Sequence, residues 1–115
     1  VSCLHKILSK KFNVIKSGNI GIPFSKVVYE ENKNMITEND FCILELSSFQ
    51  TEDIQKFKPK IALILNIAED HLDRYDDFTS YCKSKMNLFK NMDKDDLVIY
   101  NCDDEVISKE INKIN

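Results

Sequence analysis

Tryptophan is absent, and glycine and proline occur only twice each in 115 residues, as Gly18, Gly21, Pro23 and Pro59. So few chain breakers exclude a collagen-like, linker-like or low-complexity organisation. Arginine is nearly missing as well. Arg74 is the only one, and a net charge of -3 leaves no basic footprint for nucleic acid. No apolar run approaches the ~18 residues of a membrane span, and the N-terminus has no basic start with a long apolar stretch behind it. Membrane insertion is therefore not expected, and the protein reads as cytoplasmic. Cys3, Cys42, Cys82 and Cys102 form no C-x-x-C pair, which argues against a zinc site or a disulfide framework and for small buried thiols.

What is present is ordinary globular composition, 43% apolar and 30% charged, enough for one domain or a piece of one. Val1 opens directly inside a helical pattern, so the chain is expected to be an excerpt from a longer polypeptide. Leu4, Leu8 and Phe12 at i, i+4, i+8 predict an amphipathic helix over 2–12, in which His5 is a surface or half-buried residue. A short strand at 13–16 and a helix over 24–31 follow. Further strands are predicted at 40–46, 61–66 and 96–101, with helices at 48–57, 78–90 and 105–114. Strands alternating with helices predict an α/β fold, a partial parallel sheet of the P-loop or Rossmann-like kind with helices on both faces.

The chain is organised around Phe41-Cys42-Ile43-Leu44-Glu45-Leu46-Ser47-Ser48-Phe49-Gln50, an apolar run that carries a carboxylate near its end. Read as a buried strand, it leaves Glu45 in need of a cation or a set of donors, and a metal is the first candidate. The strand at 61–66 likewise runs into Ala68-Glu69-Asp70-His71, and the strand at 96–101 into Asp103-Asp104. In open parallel sheets ligands bind beyond the carboxyl ends of strands, so these ends are expected to converge on one site.

Four other features carry chemistry. Gly18-Asn19-Ile20-Gly21 lets the backbone turn tightly and approach a ligand, or else Asn19 only adopts a turn conformation. Ser47 and Gln50 stand in S-x-x-Q spacing, which serves a capping box, a substrate contact, or both. His71 between Asp70 and Asp73 directly after a strand reads as functional rather than as a solvated loop. Lys85 falls within the stripe formed by Phe78, Tyr81, Cys82, Leu88 and Phe89. Such a lysine either snorkels to the edge or, once desolvated, becomes a neutral, reactive amine.

Taken together, Ser17 through Pro23, Glu45 through Gln50, Leu65 through Arg74, Tyr81 through Lys85 and Asn101-Cys102-Asp103-Asp104 resemble the central ATPase domain of the Mur ligases, most of all the D-glutamate-adding members. The resemblance covers nearly the whole chain. It implies a part of that central domain, with the N-terminal UDP-binding and C-terminal ligase domains lying outside these residues. It also implies ATP-dependent amide formation in peptidoglycan precursor synthesis, joining D-glutamate to UDP-N-acetylmuramoyl-L-alanine through an acyl phosphate.

By the same resemblance Glu45 is a Mg2+ ligand, and His71 is the ligand of a second Mg2+ that Lys85, carbamylated, helps to hold. Asn19 lies near the substrate and the transferred phosphate, and Ser47, Gln50 and Asp70 line the same site. Magnesium favours oxygen donors, so the histidine leaves room for Mn2+. A G-x-x-x-x-G-K-[ST] phosphate loop is obligatory for this chemistry, and the spacing of Gly18 and Gly21 cannot supply it. The 115 residues alone are accordingly expected to be inactive. Two other readings stand beside this one: a non-catalytic α/β relic or interaction fragment, and a metal-dependent phosphohydrolase built on Glu45, Asp70 and His71. Oligomeric state is not legible.

Overall fold

The computed structural model describes residues 1–33, 39–68 and 74–114. Helices and strands alternate in the order α1 (Ser2–Leu8), β1 (Val14–Gly18), α2 (Phe24–Asn32), β2 (Phe41–Glu45), α3 (Ser48–Glu52), β3 (Ile61–Ile64), α4 (Phe78–Met86), β4 (Leu97–Tyr100) and α5 (Glu105–Ile111). The fold is α/β with parallel strands, as the alternation predicts. The chain divides into two compact units, Val1–Ser47 and Ser48 onward, each with a two-stranded parallel sheet.

In the first unit β1 and β2 pair from Val14↔Phe41 to Gly18↔Glu45. The register is set at the amino ends, where Asn13 N–H donates to Asp40 Oδ2 at 2.7 Å and Asp40 N–H donates back to Asn13 O at 2.9 Å. Phe12 meets Phe41 edge-on at 5.1 Å, and His5 Nε2 lies 3.2 Å from Val14 O, which ties α1 to the strand. Val27 of α2 and Ser17 of β1 are the buried side chains among the described residues of this unit. The expectation of a buried strand at 40–46 is corrected here. Phe41 is 39% exposed, Cys42 is exposed, and 43–47 are half-buried, because β2 is paired along one edge only.

In the second unit β3 and β4 pair from Ile61↔Leu97 to Ile64↔Tyr100. Period-two alternation separates two faces. Ala62, Ile64 and Val98 turn to a core completed by Ile67, Tyr75, Tyr81, Cys82, Phe89 and Ile107, while Ile61, Leu63, Leu97 and Ile99 are exposed. Asp77 caps α4 by accepting the Ser80 N–H at 2.7 Å, and Asp104 caps α5 by accepting the Ile107 N–H at 3.0 Å. At the other end of the sheet the Asp96 side chain, 1% exposed, lies 2.9 Å from Lys58 Nζ and 3.0 Å from Lys60 Nζ, and it accepts the Asp93 N–H.

The helix expected over 48–57 is only Ser48–Glu52. Its last carbonyls and those beyond it are taken by side chains from the residues around the C-terminus of α4. Asn87 Nδ2 donates to Thr51 O at 2.8 Å and Glu52 O at 3.1 Å, Lys90 Nζ to Ile54 O at 3.3 Å, and Asn91 Nδ2 to Gln55 O at 3.0 Å and Phe57 O at 2.9 Å. Those acceptors are satisfied without further helical turns, so nothing requires the helix to continue. The reading of four buried thiols also fails: Cys82 is buried, but Cys3, Cys42 and Cys102 are exposed. Among the described residues no helix is long and apolar enough to cross a membrane.

Candidate functional site

The carboxyl end of the first sheet is built by a glycine. Gly18 closes β1 opposite Glu45 with φ of 119°, a conformation that L side chains rarely adopt. A Cβ placed there would lie 2.8 Å from Glu45 N and closer still to Glu45 O. Without one, Gly18 N–H donates to Ile22 O at 3.0 Å and Asn19 N–H donates to Glu45 O at 2.7 Å. The turn is thereby closed against the strand end, which brings Asn19 and Glu45 together at one edge of the unit. The close approach that Gly18 permits is to the backbone of Glu45, and Gly21, with φ of 90°, faces open space. Asn19 is exposed and Glu45 half-buried, so the carboxylate is far less desolvated than a buried strand would make it.

Among the described residues no group of three or more His, Cys, Asp and Glu side chains converges. That still fits magnesium, which is commonly held by one or two carboxylates with water and phosphate oxygens completing its octahedron. Glu45 offers such a carboxylate beside a turn whose backbone is fixed. Asp70 and His71 lie outside the described residues.

The second unit positions Lys85 and Gln50. Tyr81 and Cys82 of α4 are buried with Phe78 packed partly buried beside them, and Phe89 and Leu88, in the 3-10 turn Asn87–Phe89 where the helix expected over 78–90 gives way, continue the expected apolar stripe. Lys85 is half-buried, with Nζ 5.1 Å from the centroid of the Tyr81 ring, where the negative face of the ring attracts a cation. Tyr81 is held edge-on by Tyr75 at 5.4 Å, and Tyr75 stacks on Phe49 at 6.3 Å. The buried Tyr75 hydroxyl lies 3.1 Å from Ser84 Oγ, which donates to Ser48 O at 3.3 Å. The helix of Lys85 is thus fastened to the first turn of α3, where Gln50 is exposed, one residue beyond Phe49. Ser47 directly precedes this helix. Arg74 sits over the Phe49 ring at 4.5 Å and 3.9 Å from Glu52 Oε2.

The sequence marks Asp104 only as a charge beyond a strand's carboxyl end and Ser84 only within the stretch Tyr81 through Lys85, and it does not distinguish Tyr75. Asp104 does precede a helical pattern, which marks a cap. Its second bond does not show in the sequence: Oδ2 accepts the Ile67 N–H at 3.1 Å, across to the residue that leaves β3. Hydrogen bonds from the Ile107 and Ile67 amides hold the Asp104 carboxyl below the usual carboxylate range.

Comparison with known proteins adds a family and a set of relatives. The Mur ligase middle domain matches residues 1–115. A UDP-N-acetylmuramoylalanine--D-glutamate ligase of Natranaerobius thermophilus is 45% identical over 94 residues, 82% of this chain and 19% of that protein. Enzymes of the same name from Thermosipho melanesiensis and Fusobacterium nucleatum are 38% identical over 115 residues and 45% over 98. They cover 100% and 85% of this chain, and 26% and 22% of their own length. The chain therefore spans about a fifth to a quarter of the curated relatives it matches.

Proposed function

Since the chain belongs to the Mur ligase family, its residues 1–115 matching the middle domain, we propose that the full-length protein is an ATP-dependent ligase that joins D-glutamate to UDP-N-acetylmuramoyl-L-alanine. Its reaction serves peptidoglycan precursor synthesis in the cytoplasm, and through it cell-wall growth, shape and division. These residues are part of the central ATPase domain. The phosphate loop and the UDP-binding and C-terminal ligase domains belong to the remainder of the protein. The observation that carries the reading is the pairing of Gly18 with Glu45, which sets the Glu45 residue beside Asn19 at one strand end, together with the relatives' shared name.

The L-alanine carboxylate takes the γ-phosphoryl group of ATP, releasing ADP, and the amine of D-glutamate displaces phosphate from the acyl phosphate. Phosphoryl transfer depends on positioning and charge neutralisation more than on covalent help from the protein. Glu45 would hold one Mg2+, and His71 with the Lys85 carbamate a second, with Mn2+ an alternative. When bound, the ions neutralise the charge that accumulates on the transferred group. Asn19 contacts the substrate near the phosphoryl group, and Ser47, Gln50 and Asp70 orient the substrate around it. Lys85 serves only after its neutral amine adds carbon dioxide and releases a proton, which turns a cationic side chain into an oxygen donor.

The test is phosphate release by the purified full-length protein with MgATP. Release that requires both UDP-N-acetylmuramoyl-L-alanine and D-glutamate, with a product heavier by one glutamate residue, is expected. Release without any amino-acid acceptor would establish a phosphohydrolase instead.

A further inference from the structure

Side chains of α4 and of the residues just after it address the segment of α3 in one fixed register. Ser84 Oγ donates to Ser48 O at 3.3 Å, Asn87 Nδ2 to Thr51 O at 2.8 Å, Lys90 Nζ to Ile54 O at 3.3 Å and Asn91 Nδ2 to Gln55 O at 3.0 Å, and each donor stands 36 residues beyond its acceptor. A constant offset means that the two segments run side by side in the same direction. Both hydrogens of each asparagine amide are used, since Asn87 also reaches Glu52 O at 3.1 Å and Asn91 reaches Phe57 O at 2.9 Å.

Gln50 lies inside this register. Ser48 O before it and Thr51 O after it are both taken by the bonds above, and Thr51 Oγ1 closes the interval by donating to Ser48 O at 3.0 Å. Ser48 and Thr51 are each 3% exposed, whereas Gln50 is exposed, so the direction in which Gln50 leaves the helix is fixed by two buried neighbours. The base that holds them is firm, because Tyr81 and Cys82 at 4% and Phe89 at 3% exposure lie in the core. A slip of α3 by one residue would move Gln50 along the helix axis by about 1.5 Å, and errors of about 1 Å are enough to cost rate where substrate must be oriented.

We propose that Asn87 is a positioning residue for the ligase reaction, gripping Thr51 O and Glu52 O so that α3 keeps its register on α4 and Gln50 is aimed at the UDP-linked substrate. The inference rests on the functional reading above, in which Gln50 orients that substrate. Asn87 is the main grip on this interval. Its bonds are shorter than that of Ser84, and an amide donates twice where a hydroxyl donates once.

The experiment uses Asn87→Ala and the milder Asn87→Ser in the full-length protein, with Asn91→Ala as the matched control. Asn91→Ala also removes two bonds to the same segment, but beyond the interval that holds Gln50. Amide exchange over residues 50–54 should quicken several-fold in the Asn87 variants and stay within two-fold of wild type in Asn91→Ala. KM for UDP-N-acetylmuramoyl-L-alanine should rise at least five-fold in Asn87→Ala and less in Asn87→Ser, while KM for ATP stays within two-fold. A smaller folded fraction would lower kcat and leave every KM where it was. In a Gln50→Ala background Asn87→Ala should cost less than two-fold further. Unchanged KM in Asn87→Ala, equal effects of Asn87→Ala and Asn91→Ala, or a loss that is undiminished without Gln50 would overturn the proposal while leaving the ligase reading intact. A wild-type protein that releases phosphate with no acceptor overturns the ligase reading, and the role of Asn87 in it falls at the same stroke.

Discussion

Gly18 and Glu45 share the last rung of a parallel ladder, and the backbone of Glu45 fills the space that a side chain on Gly18 would need. The contrast with Gly21, which has positive φ but open space around it, separates strain from collision. Gly18→Ala should destabilise the protein by at least about 3 kcal/mol, because strand end and turn must both shift. Gly21→Ala carries only the conformational cost, roughly 1 to 2 kcal/mol. Urea unfolding of the two variants checks the order, and equal losses would show that the Glu45 backbone yields easily.

Asp96 anchors the amino ends of β3 and β4. Its carboxyl is held well below the usual range, first by the Asp93 N–H and then by Lys58 and Lys60. A pKa lower in the folded than in the unfolded chain stabilises the fold above the unfolded value of about 4, and that stability is lost as pH falls toward the folded value. Asp96→Asn should therefore lower the urea midpoint at pH 7, and the difference from wild type should shrink steadily between about pH 4 and pH 2. A difference that persists unchanged at pH 2 would show that the ionised carboxylate contributes nothing.

Cys82 is buried, and burial raises its thiol pKa, whereas Cys3, Cys42 and Cys102 are exposed. Only the thiolate is an effective nucleophile. Iodoacetamide at pH 8 should modify the three exposed cysteines of the 115-residue chain and reach Cys82 only in denaturant, as mass mapping of the alkylated peptides would show. Early labelling of Cys82 would mean that the α4 core opens readily.

Lys85 distinguishes a carbamate from a plain cation. In the full-length protein, Lys85→Ala should lower the ligation rate about 10²-fold or more, the scale of a lost electrostatic stabiliser. Acetate should restore part of it. Lys85→Arg should remain inactive, since an arginine stays cationic and takes up no carbon dioxide. Wild-type rates in Lys85→Arg would leave Lys85 with a purely cationic role.

Much of this was legible in the residues themselves. Hydrophobic periodicity located the helices and strands, because burial on one face is what stabilises each of them, and the stripe from Phe78 to Phe89 is the face that packs. Glu45 at a strand end and Asn19 in a turn were visible as candidates, and the ladder joins them. The end of α3 was not legible, since Asn87, Lys90 and Asn91 are 30 or more residues away and local propensity carries no trace of them. The exposed cysteines and the half-buried β2 were misread for a related reason. An apolar run shows that a strand wants cover without showing how much it finds. Asp104, read only as a charge beyond a strand's carboxyl end, is a helix cap, and its second oxygen acts across 37 residues.

Both ladders are parallel, which has a kinetic consequence. A parallel pair cannot be joined by a tight turn, so Val14 must find Phe41, and Ile61 must find Leu97, before either sheet gains its first rung. Chain entropy is spent on closing those loops before any pairing repays it, while short helices flicker into being within about a microsecond. Folding should thus run from helices to ladders, with sheet formation as the slow event. Until each ladder forms, the edges that β1 and β2, and β3 and β4, present to one another are templates for the strands of another molecule. Dilution, more than temperature, should govern how much of the chain refolds.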